Sequence, residues 1–151
     1  HDIPVSIHTG YWRDYRTASP DCYMAMVDSH PDNRFDLFHL GYPYVKQSLL
    51  LAKSRPNVCI DLCWVYIISQ ELARDAIRQI VDFVPMNKVM GFGADYFHID
   101  NVYGHRKMMD RTMALALADK VADGTLTMAQ AKRWAKAMLW DNPVRFYGIK
   151  E

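Results

Sequence analysis

Three short apolar runs of this chain each end on a side chain that can hold a metal ion. Residues 3–8 end on His8, residues 34–39 on His39 and residues 89–95 on Asp95. Two imidazoles and a carboxylate suit zinc, manganese or iron rather than calcium, zinc first. Gathered at one place they would hold a divalent cation, and a cation so held acidifies a bound water. Asp95 would then do two jobs, as a ligand and as the general base that takes the water's proton. One histidine at a strand end is ordinarily a structural residue. Three ligands at successive strand ends, in order, read as a site.

Around these three lie candidates for substrate contact. Tyr11, Trp12, Arg13 and Arg16 follow His8, and an arginine such as Arg16 would clamp a substrate carboxylate in bidentate fashion. The bland reading of such an arginine is an exposed charge in a polar loop. His98 and His105 flank the loop after Asp95, where solvated histidines are the common case. Asp61 is either a support for the ligands or simply a hydrogen-bonded acid. His30, before Pro31, belongs to the surface. The methionines and aromatics of residues 108–140 read as helix packing.

A fourth apolar run, residues 57–64, sits between the second and third, and helix-like stretches separate all four. Pro20 opens a short helix to about Ser29, and Gly41, Tyr42 and Pro43 turn the chain into a helix over 44–53. Ser69 caps a helix over 70–83 whose Leu72, Ala76, Ile77, Ile80 and Val81 form an apolar stripe. A long loop over 96–104 leads to a helix over about 106–123, with Gly124 as its stop. Thr127 caps a last helix over 128–139, and a short apolar stretch, 144–149, ends the chain. Strand then helix, four times, predicts an α/β fold with a parallel sheet and right-handed crossovers.

Counting by twos assigns the faces of the strands. Pro4, Ser6 and His8, then Cys59, Asp61 and Cys63, then Gly91, Gly93 and Asp95 make a small or polar face. Ile3, Val5 and Ile7, then Val58, Ile60, Leu62 and Trp64, then Met90 and Phe92 make a large apolar one. In a barrel the large face meets the helices and the small face fills the lumen. The second strand fits less well, because Phe35 and Leu37 share a face with His39.

The composition narrows the classes. Of 151 residues 50% are apolar and 23% charged, enough for the core of a single domain spanning the whole chain and too apolar for disorder. A net charge of +1 with interspersed signs gives no nucleic-acid surface. No stretch approaches the roughly 18 apolar residues of a membrane span. The chain opens on His1 and not Met, with no signal-peptide pattern, which reads as an internal piece of a longer protein or a processed chain. Cys59 and Cys63, four apart on one strand, would have Cα atoms about 13 Å apart, beyond disulfide reach. With Cys22 the count is odd, so a reducing, cytoplasmic setting is expected.

The segments PVSIHTG (Pro4 to Gly10), FDLFHLG (Phe35 to Gly41) and FGADY (Phe92 to Tyr96), with NVCID (Asn57 to Asp61) and the tail carrying Asn142, resemble the C-terminal half of a TIM-barrel metal-dependent amidohydrolase of the amidohydrolase-related branch. In that family the fifth and sixth strands end in ligand histidines and the eighth in an aspartate, which fall on His8, His39 and Asp95. The resemblance implies strands five to eight of a barrel, C-terminal helices, and hydrolysis of amide or ester-like bonds in a small-molecule substrate. Relatives decarboxylate aromatic acids or isomerise uronic acids, so the fold leaves the reaction open. The family's His-x-His pair on strand one and its Lys or Glu ligand on strand four have no counterpart here. A complete barrel takes about 250 residues and eight strands. A half-barrel would leave raw edges, so a second copy or a missing N-terminal half is expected to cover it. The rival reading is a non-catalytic half-barrel that serves binding or assembly.

Overall fold

The computed structural model describes residues 3–11 and 14–149, so the expectations placed on Trp12 and Arg13 fall outside the described residues. Four parallel strands form one sheet in chain order: β1 (Val5–His8), β2 (Phe35–Phe38), β3 (Val58–Asp61) and β4 (Val89–Met90). The register runs Ser6 to Asp36, Asp36 to Cys59, and Ile60 to Val89. Between the strands come α1 (Met24–Ser29), α2 (Val45–Ser54), α3 (Val65–Ile68) and α4 (Gln70–Phe83). After them come α5 (Ile99–Ala122), α6 (Met128–Lys136) and α7 (Asn142–Tyr147). No helix among the described residues is long and apolar enough to cross a membrane.

One face of the sheet carries the main core. Ile7, Phe35, Leu37, Val58, Ile60, Leu62 and Val89 pack there with Ala73, Ala76, Ile77 and Ile80 of α4 and with Met109, Met113 and Ala116 of α5. The α4 residues recur at helical spacing, and the Ser69 hydroxyl accepts the Leu72 N–H at 3.2 Å, as expected of its cap. Lys120 of α5 pairs with Asp82 of α4 at 2.6 Å. Thr127 and Gln130 close a reciprocal cap at the start of α6, and Gly124 ends the preceding helix at φ +80°.

The other face holds Asp36, Phe38, Cys59, Asp61, Cys63 and Met90, and α7 lies against its far end. Phe146 packs on Cys59 and Met90. The Tyr147 hydroxyl donates to Asp36 Oδ2 at 2.5 Å. Asn142 Nδ2 donates to the carbonyls of Met86 and Val89, at 2.7 and 2.8 Å, which ties α7 to the entry of β4.

Three expectations need correction. The regular part of β4 is two residues, not seven. Beyond it the pairing with β3 persists only through Leu62 N–H to Met90 O and Trp64 N–H to Gly93 O, and the Gly91 carbonyl accepts from the buried Tyr66 hydroxyl. The faces at the start of this strand are also reversed: Met90 belongs to the Cys59 side, whereas a side chain at Gly91 would meet Met113, Met138 and Leu139; Phe92, packed against the main core, and Gly93, facing Cys63, keep the expected sides. Gly91 declares no face, and the sheet surface near Met90 is apolar because Phe146 packs there. Finally, α5 begins at Ile99, inside the stretch expected to be a loop. Asn101 and Gly104 are weak helix formers, but burial of His105 among the rings of Tyr66, Phe92 and Tyr96 anchors that extra turn.

Candidate metal centre

The loop after β1 lies directly on the loop after β2. Gly10 permits this: at φ +77° a Cβ there would stand 2.2 Å from the Tyr42 carbonyl oxygen. Beside it the Thr9 hydroxyl donates to the Phe38 carbonyl at 2.6 Å. The two strand ends are thereby pinned side by side, and His8 Nδ1 stands 3.1 Å from His39 Nε2.

The second strand's misfit of pattern has a simple cause. β2 ends at Phe38, and His39 begins a short turn with φ 65°. That left-handed step takes His39 off the alternation, so Asp36 and Phe38 keep the polar face of the sheet while the imidazole swings into the pocket at the strand ends. Among the described residues the non-glycine positions with positive φ are His39, Leu40, Trp64 and Asp95. All follow the carboxyl ends of β2, β3 or β4. Such conformations cost about 1–3 kcal/mol each and gather where function requires them.

Hydrogen bonds hold the His39 step in place. Asp61 Oδ1 accepts the N–H of His39 at 3.1 Å and that of Cys63 at 2.9 Å. The Cys63 carbonyl can only accept, so His39 Nδ1 donates to it at 2.8 Å and the neutral ring keeps its lone pair on Nε2. Burial holds the His39 imidazole below its usual range and the His8 ring pushes the same way. The Cys63 carbonyl and Asp95 pull back in part. Burial also lifts the Asp61 carboxyl well above the carboxylate range, with Asp36 adding to it, and pushes the Cys63 thiol up.

Asp95 completes the group, with Oδ2 at 3.9 Å from His39 Nε2 and its side chain 58% exposed. His8, His39 and Asp95 line one pocket of about 360 Å³ together with Tyr11, Trp64, Ile68, Tyr96 and Phe97. A second cavity, of about 300 Å³, lies on the Cys59 face of the sheet between Asp36, Asp61, Cys63, Met90, Asp95 and Tyr147. Asp95 lines both.

The other expected contacts are placed elsewhere. Arg16 spends its guanidinium on Asp14, at 2.8 and 2.9 Å, and is exposed outside the pocket lining. His98 sits exposed at the start of α5 and is likewise absent from the lining. His105 is buried rather than solvated. Alternation puts Cys63 on the same face as Asp61 and carries no sign of a ligand there. Its Sγ, a His39 ring nitrogen and an Asp95 oxygen all lie within 4.8 Å of one another. The rings of Trp64, Tyr96 and Phe97 gave no signal in the sequence as pocket walls, since each follows a strand end in an irregular segment.

Neighbouring ligands on one zinc ion stand roughly 3–4 Å apart; the His8–His39 and His39–Asp95 spacings, 3.1 and 3.9 Å, lie in that range, while the group among the described residues whose ligand atoms all lie within 4.8 Å of one another is His39, Cys63 and Asp95. Imidazole and carboxylate donors at a strained, partly buried mouth therefore fit a divalent cation.

A sequence profile of the amidohydrolase family matches residues 1–149. The chain belongs to that family. Protein fluG of Emericella nidulans is 24% identical over 152 residues, covering 98% of this chain and 18% of that protein. A candidate metal-dependent hydrolase from Lactobacillus casei ATCC 334, known from a crystal structure at 1.40 Å resolution, superposes with a TM-score of 0.82. It is 22% identical, and the match covers 97% of this chain and 39% of that one. At that identity the likeness speaks for the fold. This amidohydrolase chain thus spans well under half the length of either relative.

Proposed function

We propose that this amidohydrolase chain is a single-domain half of a (β/α)8 barrel and carries part of the metal centre of a hydrolase acting on an amide, ester or related carbon. The observation that carries this reading is the convergence of His8, His39 and Asp95 on one pocket. The chain-order parallel sheet supports the half-barrel: its main core lies on one face and a polar groove on the other, as in a barrel wall. The remaining wall would come from an N-terminal half or a second copy. The free cysteines fit a reducing, cytoplasmic setting.

His8, His39 and Asp95 would hold a divalent cation, zinc first, which when bound supplies Lewis-acid activation of water and of the scissile carbonyl. His39 serves through its Nε2 lone pair, kept neutral by burial and aimed by the Cys63 carbonyl. Asp95, at the open edge of the pocket, takes the proton of the attacking water on its free oxygen and returns it to the leaving group. Tyr11, Trp64 and Phe97 form the walls against which an apolar part of a small substrate packs.

The test is metal content, by emission spectroscopy on the purified chain, together with solution mass. Near-stoichiometric zinc, manganese or iron that disappears in His39→Ala supports the reading. A metal-free chain that also fails to take up added zinc would favour a non-catalytic assembly module instead.

A further inference from the structure

We propose that Cys63 Sγ is a further ligand of this centre, so that the cation meets a thiolate beside the imidazole and carboxylate donors. The inference rests on the proposed metal-binding role of His39 and Asp95. It goes beyond that role in adding a soft donor, and with it a choice among metals.

The placement of the sulfur carries the proposal. Cys63 follows β3 on its lumen face and is a buried free thiol. Its Sγ, a His39 ring nitrogen and an Asp95 oxygen form a triangle with no side above 4.8 Å. Gly93 makes room for it, since a Cβ there would stand 2.7 Å from the sulfur. The sulfur thus occupies the space a side chain at Gly93 would fill, two residues before Asp95. The backbone of Cys63 is locked into the same cluster, with its N–H on Asp61 and its carbonyl on His39 Nδ1.

The two cavities share one wall residue, Asp95. His8 and His39 look into the mouth pocket, Cys63 lines the second cavity, and Asp95 borders both. Cys59 shows the contrasting use of a cysteine on the same face: it packs as an apolar filler with Met90 and Phe146. Binding at Cys63 displaces the thiol proton to solvent. A thiolate also selects zinc and cobalt over manganese, which prefers oxygen donors.

The experiment is a titration of the 151-residue chain with cobalt(II) alone, followed by absorbance, with Cys63→Ser and Cys22→Ser run beside it. A near-ultraviolet sulfur-to-cobalt charge-transfer band supports the proposal if it saturates near one equivalent, survives in Cys22→Ser, vanishes in Cys63→Ser and is bleached by zinc but not by manganese. Visible cobalt bands without the charge-transfer band in the unsubstituted chain would overturn it while leaving the His8, His39 and Asp95 centre standing. Neither band at any cobalt concentration would overturn both.

Discussion

The backbone N–H of His39 donates to Asp61 Oδ1, and the N–H of Cys63 donates to the same oxygen. One buried carboxyl at the end of β3 thus fixes the left-handed step that aims the His39 imidazole. Replacing Asp61 by Ala leaves two buried N–H groups without an acceptor, at about 1–3 kcal/mol each. Asparagine keeps an oxygen at the same place. Asp61→Ala is therefore expected to lose roughly 2–6 kcal/mol in urea unfolding and Asp61→Asn less than about 1. Equal losses in the two would mean that the acid's charge, and not its acceptor oxygen, holds the turn.

Asp36 gives the fold a pH dependence of unusual sign. Burial lifts its carboxyl to about 7, while the hydrogen bond from Tyr147 pulls it down in part. With the folded value above the unfolded one, near 3.9, the folded chain binds the extra proton between the two values. Stability then falls as pH rises from about 4 to about 7 and levels off above. Burial of His39 and His105 acts the other way, since both imidazoles lie below their usual range. The difference between the unsubstituted chain and Asp36→Asn isolates the acid. Between pH 5 and 8 the unsubstituted chain is expected to lose more thermal stability than the variant, by on the order of 2 kcal/mol. Parallel pH profiles would show that Asp36 is ionised throughout.

What the sequence revealed, and what it hid, follows from how each residue announces itself. His8, His39 and Asp95 were legible because each is a polar group closing an apolar run. The helices over 70–83 and 128–136 were legible from Ser69, Thr127 and their stripes. The turn at His39 was not, because a left-handed step at a non-glycine residue leaves no compositional trace; only the misfit of Phe35 and Leu37 hinted at it. The sides of Met90 and Gly91 were hidden too, since a glycine carries no side chain to bury. Cys63 was read as a lumen residue, but its nearness to His39 and Asp95 depends on three separate strand ends, which no local pattern encodes.

The metal reading predicts a linkage between zinc and stability. Free zinc at a hundredfold over its dissociation constant stabilises by about 2.7 kcal/mol, which for a chain of this size raises the unfolding midpoint by roughly 5–10 °C. His39→Ala is expected to abolish the rise, since the buried Nε2 is shared by every arrangement of ligands the cluster allows. His8→Ala should weaken it only in part, because Cys63 and Asp95 remain beside His39. Scanning calorimetry with and without a chelator reads both. Loss of the whole effect in His8→Ala, with Cys63→Ser unchanged, would assign the cation to the mouth pocket alone.

Gly93 tests how tightly the sulfur and the carboxylate are coupled. An added Cβ would lie 2.7 Å from Cys63 Sγ and 2.8 Å from its Cβ. Cys63 is hydrogen-bonded through both its N–H and its carbonyl, so it has little freedom to retreat and the β4 end must move instead. That movement carries Asp95, two residues on, away from His39. Gly93→Ala is therefore expected to cost about 1–3 kcal/mol of stability and to weaken zinc binding at least tenfold. Ala94→Gly, on the same segment but adding no atoms to it, serves as the control. Calorimetric zinc titration of both variants decides it: a Gly93→Ala chain that binds zinc as tightly as the control would mean that Asp95 is placed independently of Cys63.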